Sequence, residues 1–199
     1  PQSCACSIRR ANKMKKYADL LLGIFRFEEE FYRNYGIEAH FVGHPLVDRA
    51  KVSISRREFC EKYNVDPDKK IIGLLPGSRE NEVKKLLPEM VKTFLLHKQK
   101  DDLTWMLGMS ASLSKEIYSD ILHSHPDIKI VEGDIYPFMK YATVAIVASG
   151  TATLETGYFA TPMIVLYRVS SFPYLIGKYL IKINHVGKKR LFTRYVQFF

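Results

Sequence analysis

The sequence has no long apolar run and few cysteines. No apolar stretch approaches the ~20 residues that cross a bilayer, and the first residues lack the charged, apolar and small-residue regions of a signal peptide. We therefore expect a soluble or peripheral protein. The three cysteines, Cys4, Cys6 and Cys60, favour free thiols in a reducing compartment, because their number is odd. Cys4 and Cys6 have no second pair to complete four ligands, so no metal site is predicted.

Acidic residues are absent from both ends of the 199-residue chain. Residues 1–18 carry five basic side chains and residues 156–199 carry seven, without a single acid in either stretch. The residues between them hold 18 basic against 21 acidic side chains, so the formal net charge of +9 comes from the two ends. Such an excess indicates an anionic partner: a phosphorylated ligand, an acidic membrane surface or nucleic acid.

Several catalytic and nucleotide-binding motifs are also absent. The sequence has no Walker-type Gly-Lys-Ser turn, no glycine fingerprint of a dinucleotide site and no Ser-His-Asp arrangement. The histidines do not show the spacing of metal ligands. Nucleotide hydrolysis and hydride transfer are therefore disfavoured as functions.

Strand-like and helical segments alternate along the chain. The short apolar runs 71–75 and 144–148 predict strands, and residues 20–25 predict a further buried strand. Ser55 and Glu58 have the spacing of a capping box, in which each side chain accepts a hydrogen bond from the other residue's backbone N–H. This pair predicts the start of a helix.

The alternation predicts a Rossmann-like, doubly wound α/β fold with a parallel sheet, because strands separated by helices of about ten or more residues form βαβ units. We divide the chain into three parts. Residues 1–67 are predicted to be a connecting segment and the remnant of a preceding domain, and residues 68–186 the Rossmann-like domain. Residues 187–199 are predicted to be a basic, aromatic tail.

Two strand-to-helix turns carry the candidate ligand contacts, because ligands of open parallel sheets bind beyond the carboxyl ends of the strands. Gly77 and Gly150 allow close approach of the backbone, and neighbouring hydroxyls and a guanidinium offer further donors to a phosphate. For either turn alone, simple helix capping is the better interpretation, but the two together favour a diphosphate ligand. The predicted contacts are Gly77, Ser78, Arg79, Ser149, Gly150, Thr151 and Ala152.

Two further polar residues have open interpretations. Glu155 follows Thr151 by one helical turn, so its carboxylate could accept hydrogen bonds from a ribose diol or simply be a solvated acid near the helix N-terminus. His44 lies between a glycine and a proline, which constrains the ring. It is either a polar contact to substrate or a structural histidine bonded to the backbone.

Five ordered blocks of sequence resemble the lipid-A-disaccharide synthase family, and the resemblance covers about residues 1–186. The blocks are Phe25-Arg-Phe-Glu-Glu-Glu-Phe-Tyr32, Phe41-Val-Gly-His-Pro-Leu46, Leu74-Leu-Pro-Gly-Ser-Arg79, Val147-Ala-Ser-Gly-Thr-Ala-Thr-Leu-Glu155 and Thr161-Pro-Met-Ile-Val-Leu-Tyr-Arg168. The resemblance implies the nucleotide-sugar-binding half of a GT-B glycosyltransferase. It assigns the two turns and Glu155 to the UDP of a UDP-sugar and adds Arg168 as a further phosphate contact.

The family's reaction follows by implication. Its members transfer a sugar from UDP-2,3-diacylglucosamine to 2,3-diacylglucosamine 1-phosphate, which yields lipid A disaccharide 1-phosphate and UDP at the cytoplasmic face of the inner membrane. No metal or other cofactor is implied, because helix dipoles and arginines neutralise the departing UDP. The partners implied are the two lipid substrates and an anionic membrane surface, with no nucleic acid, and a homodimer of the full-length protein is left open. The general base belongs to an N-terminal acceptor domain, so we expect this chain to be a C-terminal portion that is inactive alone.

The sequence departs from the family pattern at two places. Cys4 and Cys6 stand where family members commonly have tryptophans, and residues 187–199 replace the expected continuation of the chain. Two alternatives remain open. One is another UDP-hexosamine enzyme of the GT-B class, such as a UDP-N-acetylglucosamine 2-epimerase. The other is a non-catalytic fragment that binds a UDP-sugar or a membrane, the latter preferred over RNA because no RNA-binding motif accompanies the basic, aromatic tail.

Overall fold

A computed structural model describes residues 8–97, 101–166 and 195–197 of the chain. These residues form two compact units, which divide between Ala50 and Lys51. The smaller unit contains the elements α1 (Ile8–Met14), β1 (Leu20–Gly23), α2 (Arg26–Asn34), β2 (Glu38–Phe41) and α3 (Leu46–Arg49). Within the described part of the chain, no helix has both the length and the apolar character to span a bilayer.

In the smaller unit, the parallel strands β1 and β2 pair from Leu20 opposite Glu38 to Gly23 opposite Phe41. Leu21 packs into a small core formed with Ala11, Tyr32, Ile37 and Ala39. The strand predicted within residues 20–25 is present as β1, but it is buried on one face only, because Leu20 and Leu22 are 50% and 53% exposed. Successive side chains of a strand point to opposite faces, and the described helices cover only the face that carries Leu21.

The larger unit contains a six-stranded parallel sheet. Its elements are α4 (Arg56–Lys62), β3 (Lys70–Leu75), α5 (Glu80–His97), β4 (Leu103–Gly108), α6 (Glu116–Leu122), β5 (Ile128–Val131), α7 (Tyr136–Tyr141), β6 (Val144–Ala148), α8 (Thr151–Tyr158), β7 (Met163–Leu166) and β8 (Tyr195–Gln197). The strands lie in the order β5-β4-β3-β6-β7-β8. This topology confirms the doubly wound α/β fold that the alternating pattern predicts.

Both faces of the sheet are covered by helices, as the apolar strands require. Alternate residues of β3 and β6 supply the two cores. On one face, Leu74 and Ile146 pack with α5 and α6. On the other face, Leu75 and Val147 pack with α4 and α7. The sheet is thus rigidly held between two helical layers, and its strand ends are fixed relative to each other.

Helix α4 belongs to the larger unit, although residues 1–67 were predicted as a separate connecting segment. Its capping box forms as predicted, since Glu58 N–H donates to Ser55 Oγ at 3.2 Å and Ser55 N–H to Glu58 Oε2 at 2.6 Å. These bonds lower the pKa of Glu58 below its ordinary value. Phe59 is buried in the core of the sheet, and Arg56 donates to the carbonyl of Tyr141 at 2.8 Å. In the structure the two compact units divide between Ala50 and Lys51, on the amino-terminal side of α4.

One strand of the sheet comes from the segment predicted as a tail. Strand β8 pairs in parallel with β7, and Tyr195 lies opposite Met163. The sequence interpretation assigned no strand to residues 187–199. Arg168 lies outside the described residues.

Candidate functional site

The two candidate turns leave adjacent strands at the same edge of the sheet. Leu75 is the last residue of β3 and pairs with Val147, the penultimate residue of β6. From β3 the chain passes to β4 and β5 on one side, and then returns to β6 and β7 on the other side. This reversal of strand order is the topological switch point, where open α/β sheets leave a crevice for ligands. Residues 76–79 and 149–151 border that crevice.

Gly77 has a backbone conformation that requires glycine. Its φ angle is +114°, which side chains of L-residues rarely adopt. A Cβ atom here would lie 2.5 Å from Glu82 Oε2 and 3.4 Å from the Cβ of Ala148, at the end of β6. The turn after β3 therefore lies directly against the end of β6.

Arg79 extends from this turn with an 80% exposed side chain. Its Nη1 donates to Glu82 Oε1 at 2.7 Å, and its carbonyl accepts the N–H groups of Glu82 and Val83 in the first turn of α5. Ser78 is exposed beside it. The guanidinium keeps further N–H donors, because it has five in all.

The second turn, residues 149–151, has open space beside the backbone of Gly150. Gly150 has an extended φ angle of 176°, and a Cβ added to it would meet no atom within 4 Å. The local fold therefore does not demand glycine there, and the space above the backbone is available to a ligand. Gly150 is the N-cap residue of α8, and no side chain of the described residues accepts a capping hydrogen bond there.

The rest of the second turn is ordered by neighbouring backbone groups. Ser149 N–H donates to the carbonyl of Leu166 at 2.8 Å, which ties the turn to β7. Thr151 is exposed, Ala152 is half-buried, and Glu155 is half-buried one turn further along α8. The structure therefore places all predicted contacts from residues 77–79 and 149–155 at one edge of the sheet.

The loop after β4 is a third element at this edge, which the sequence interpretation missed. Ser112 Oγ donates to the carbonyl of Ser78 at 3.4 Å, and Ser110 N–H donates to the Tyr118 hydroxyl at 3.2 Å. Burial raises the pKa of Tyr118, which keeps this hydroxyl protonated. The sequence pattern could have indicated this third element, because β4 follows β3 in a βαβ unit and its end therefore lies beside the end of β3.

His44 belongs to the smaller unit. Its Nδ1 accepts the N–H of Leu46 at 3.1 Å, and its ring centroid lies 5.3 Å from that of Phe25. A neutral ring with this bond carries its proton on Nε2. Nε2 is buried and has no acceptor among the residues that the structure describes. Nδ1 thus has the structural role considered above, whereas Nε2 remains a donor without a partner in the described part of the chain.

No group of three or more His, Cys, Asp or Glu side chains in the described ranges is arranged to hold a metal ion. Cys60 is a residue of α4 whose side chain is buried in the core, and burial raises the pKa of its thiol. A protonated, buried thiol is a poor nucleophile. The candidate site therefore consists of backbone N–H groups, hydroxyls and Arg79, a donor set suited to phosphate oxygens.

Solved structures with a similar fold define the class. The chain aligns with the co-structure of S. aureus MnaA and UDP at a TM-score of 0.58 and 22% identity, covering 88% of this chain and 50% of the other. UDP-GlcNAc 2-epimerase from Methanocaldococcus jannaschii gives a TM-score of 0.59 and 17% identity, with 91% and 51% coverage. The fold is that of GT-B glycosyltransferases and related sugar-nucleotide epimerases.

Sequence comparison narrows this class. The family model for lipid-A-disaccharide synthetase matches residues 1–195, so the chain belongs to that family, and the match extends beyond residue 186. Lipid-A-disaccharide synthase from Coxiella burnetii (strain Dugway 5J108-111) is 38% identical over 188 residues. The enzyme from Persephonella marina is 36% identical over 196 residues. Each alignment covers 94% of this chain.

The chain spans about half the length of the curated relatives it matches, 50% of the Coxiella protein and 52% of the Persephonella protein. The epimerase alternative shares the fold but not this level of sequence identity, since the epimerase from Methanocaldococcus is only 17% identical. The comparisons therefore favour the synthase family over the epimerases.

Proposed function

We propose that the larger unit binds the UDP of UDP-2,3-diacylglucosamine in the crevice between the ends of β3 and β6. The observation that carries this proposal is the position of the Gly77 turn against the end of β6 at the switch point, where a Cβ on Gly77 would lie 3.4 Å from the Cβ of Ala148. The amino ends of α5 and α8 follow these turns directly. Their backbone N–H groups and dipoles favour an anion at this position.

In this proposal each predicted residue has a defined task. Arg79 binds the diphosphate through charge-assisted hydrogen bonds, together with the hydroxyls of Ser78, Ser149 and Thr151 and the N–H groups of Ser78 and Thr151. Gly150 and Ala152 leave room for the ligand beside the backbone, and Gly77 allows the turn after β3 to fold against Glu82 and the end of β6. Glu155 accepts hydrogen bonds from the ribose diol, and Arg168 adds a second phosphate contact. His44 donates its Nε2–H to a polar group of a substrate.

We further propose that this chain supplies the donor-binding half of a hexosyltransferase. The reaction would transfer the diacylglucosamine unit to 2,3-diacylglucosamine 1-phosphate, which gives lipid A disaccharide 1-phosphate and UDP. Arg79 and the two helix amino ends would stabilise the negative charge that develops on the departing UDP. We assign no general base to this chain and propose that it binds the donor without transferring the sugar when it is alone.

Donor choice tests this function against the epimerase alternative. The full-length protein is incubated in parallel with UDP-2,3-diacylglucosamine plus acceptor and with UDP-N-acetylglucosamine, and the products are identified by mass spectrometry and NMR spectroscopy. We expect disaccharide 1-phosphate only from the acylated donor. Conversion of UDP-N-acetylglucosamine into its 2-epimer, without disaccharide formation, would favour the epimerase.

A peripheral position at the cytoplasmic face of the inner membrane is part of the proposal. It is supported by the exposed side chains of Lys13, Lys15, Lys16 and Tyr17 at the end of α1, because basic and aromatic groups suit the surface of an anionic bilayer. We expect the protein to co-sediment with anionic vesicles and not with zwitterionic ones. Equal sedimentation with both would contradict an electrostatic contact.

A further inference from the structure

Glu82 is a second charged residue beside the turn that follows β3, and the sequence interpretation did not select it. It lies in the first turn of α5, and its side chain is 31% exposed. One carboxylate oxygen accepts a hydrogen bond from Arg79 Nη1 at 2.7 Å. The other lies 2.5 Å from the position that a Cβ of Gly77 would occupy. The carboxylate therefore covers the glycine of the turn and binds its arginine at the same time.

We propose that Glu82 is a positioning residue, which holds the Arg79 guanidinium at the crevice so that its other N–H donors face the diphosphate. This proposal rests on the UDP site described above. A free arginine side chain has many rotamers, and fixing one of them before the ligand arrives lowers the entropic cost of binding. The guanidinium can bind the Glu82 carboxylate and the diphosphate at once, because one of its edges contacts Glu82 and other N–H donors remain for phosphate oxygens.

Two other roles for Glu82 lead to different results. An acid in the first turn of a helix interacts favourably with the helix dipole, which would affect the stability of α5 and not the ligand. A carboxylate beside an anion site could also compete with the diphosphate for Arg79, in which case its removal would tighten binding. The positioning role requires that removal of Glu82 weakens binding, and that this effect depends on Arg79.

The test is calorimetric titration of the 199-residue chain with UDP. We expect Glu82→Ala to weaken UDP binding about tenfold, a typical coupling between contacting residues. Glu82→Gln keeps an oxygen acceptor for Arg79, so it should recover part of this loss. Glu80→Ala is the matched control. It removes the same charge from the same helical turn, but Glu80 pairs with Lys84 and should leave UDP affinity unchanged.

A double-mutant cycle separates positioning from a structural role. In an Arg79→Ala background, we expect Glu82→Ala to have no further effect on UDP affinity. An equal loss in both backgrounds would show a structural effect and overturn the proposal, as would unchanged or tighter binding by Glu82→Ala alone. Denaturant unfolding checks that each variant is folded. If Glu82→Ala does not fold, the cycle is measured with Glu82→Gln instead. If the unsubstituted chain does not bind UDP, the proposed function fails as well, whereas the other outcomes concern Glu82 only.

Discussion

Replacement of Arg79 by alanine is expected to weaken UDP binding by about one to two orders of magnitude, on the order of 1.5 to 3 kcal/mol for charge-assisted hydrogen bonds. Arg79 is the guanidinium that the structure places at the switch-point crevice, and its side chain is 80% exposed. Its pair with Glu82 is an exposed pair within one helical turn, a type that contributes little to stability. The substitution should therefore act on the ligand and leave the fold unchanged.

Isothermal titration of the chain with UDP measures this effect. Arg57→Ala is a suitable control, because Arg57 is also a highly exposed arginine paired with an acid, Glu61, within one helix. It lies on α4, which precedes β3 and does not include the candidate turns. Unchanged UDP affinity of Arg79→Ala would remove Arg79 from the site. An equal loss in Arg57→Ala would indicate a general effect of net charge.

Replacement of Phe138 by alanine is expected to destabilise the larger unit by about 3 to 5 kcal/mol, the usual range for truncation of a buried aromatic side chain. Phe138 lies in α7 and is fully buried. Its ring packs directly on the backbone of two strands, since a Cβ at Gly73 would lie 3.1 Å from its Cζ and one at Gly108 would lie 3.0 Å from its Cε1. These glycines have no side chain to fill the space that the ring would leave.

Denaturant unfolding followed by fluorescence or circular dichroism measures the change in free energy of unfolding. Tyr158→Ala provides the comparison, because Tyr158 is an aromatic residue of the neighbouring helix α8 but is 42% exposed. Its substitution should cost clearly less. A loss below about 1 kcal/mol for Phe138→Ala, the scale of an ordinary surface or partly buried change, would contradict the packing of α7 on the sheet.

Much of the fold could be predicted from local sequence. The apolar runs of β3 and β6 form strands because they are buried on both faces of a parallel sheet. Ser55 and Glu58 form their capping box because both partners lie within one helical turn. The strand predicted within residues 20–25 also forms, but only one of its faces is buried. Apolar character shows that a strand can be buried, but whether both faces are covered depends on elements elsewhere in the chain.

The sequence by itself determined the fold class, the family and the residue types of both turns, because these depend on local pattern and on ordered motifs. Only the tertiary structure decided that the turn of Gly77 lies against the end of β6 and that Glu82 covers it. It also joined α4 and β8 to the larger unit, although neither lies within the Rossmann-like segment predicted for residues 68–186. Strand order and packing between distant segments cause these differences. A local pattern specifies which faces are apolar, but the partner of each face is chosen by the topology of the whole sheet.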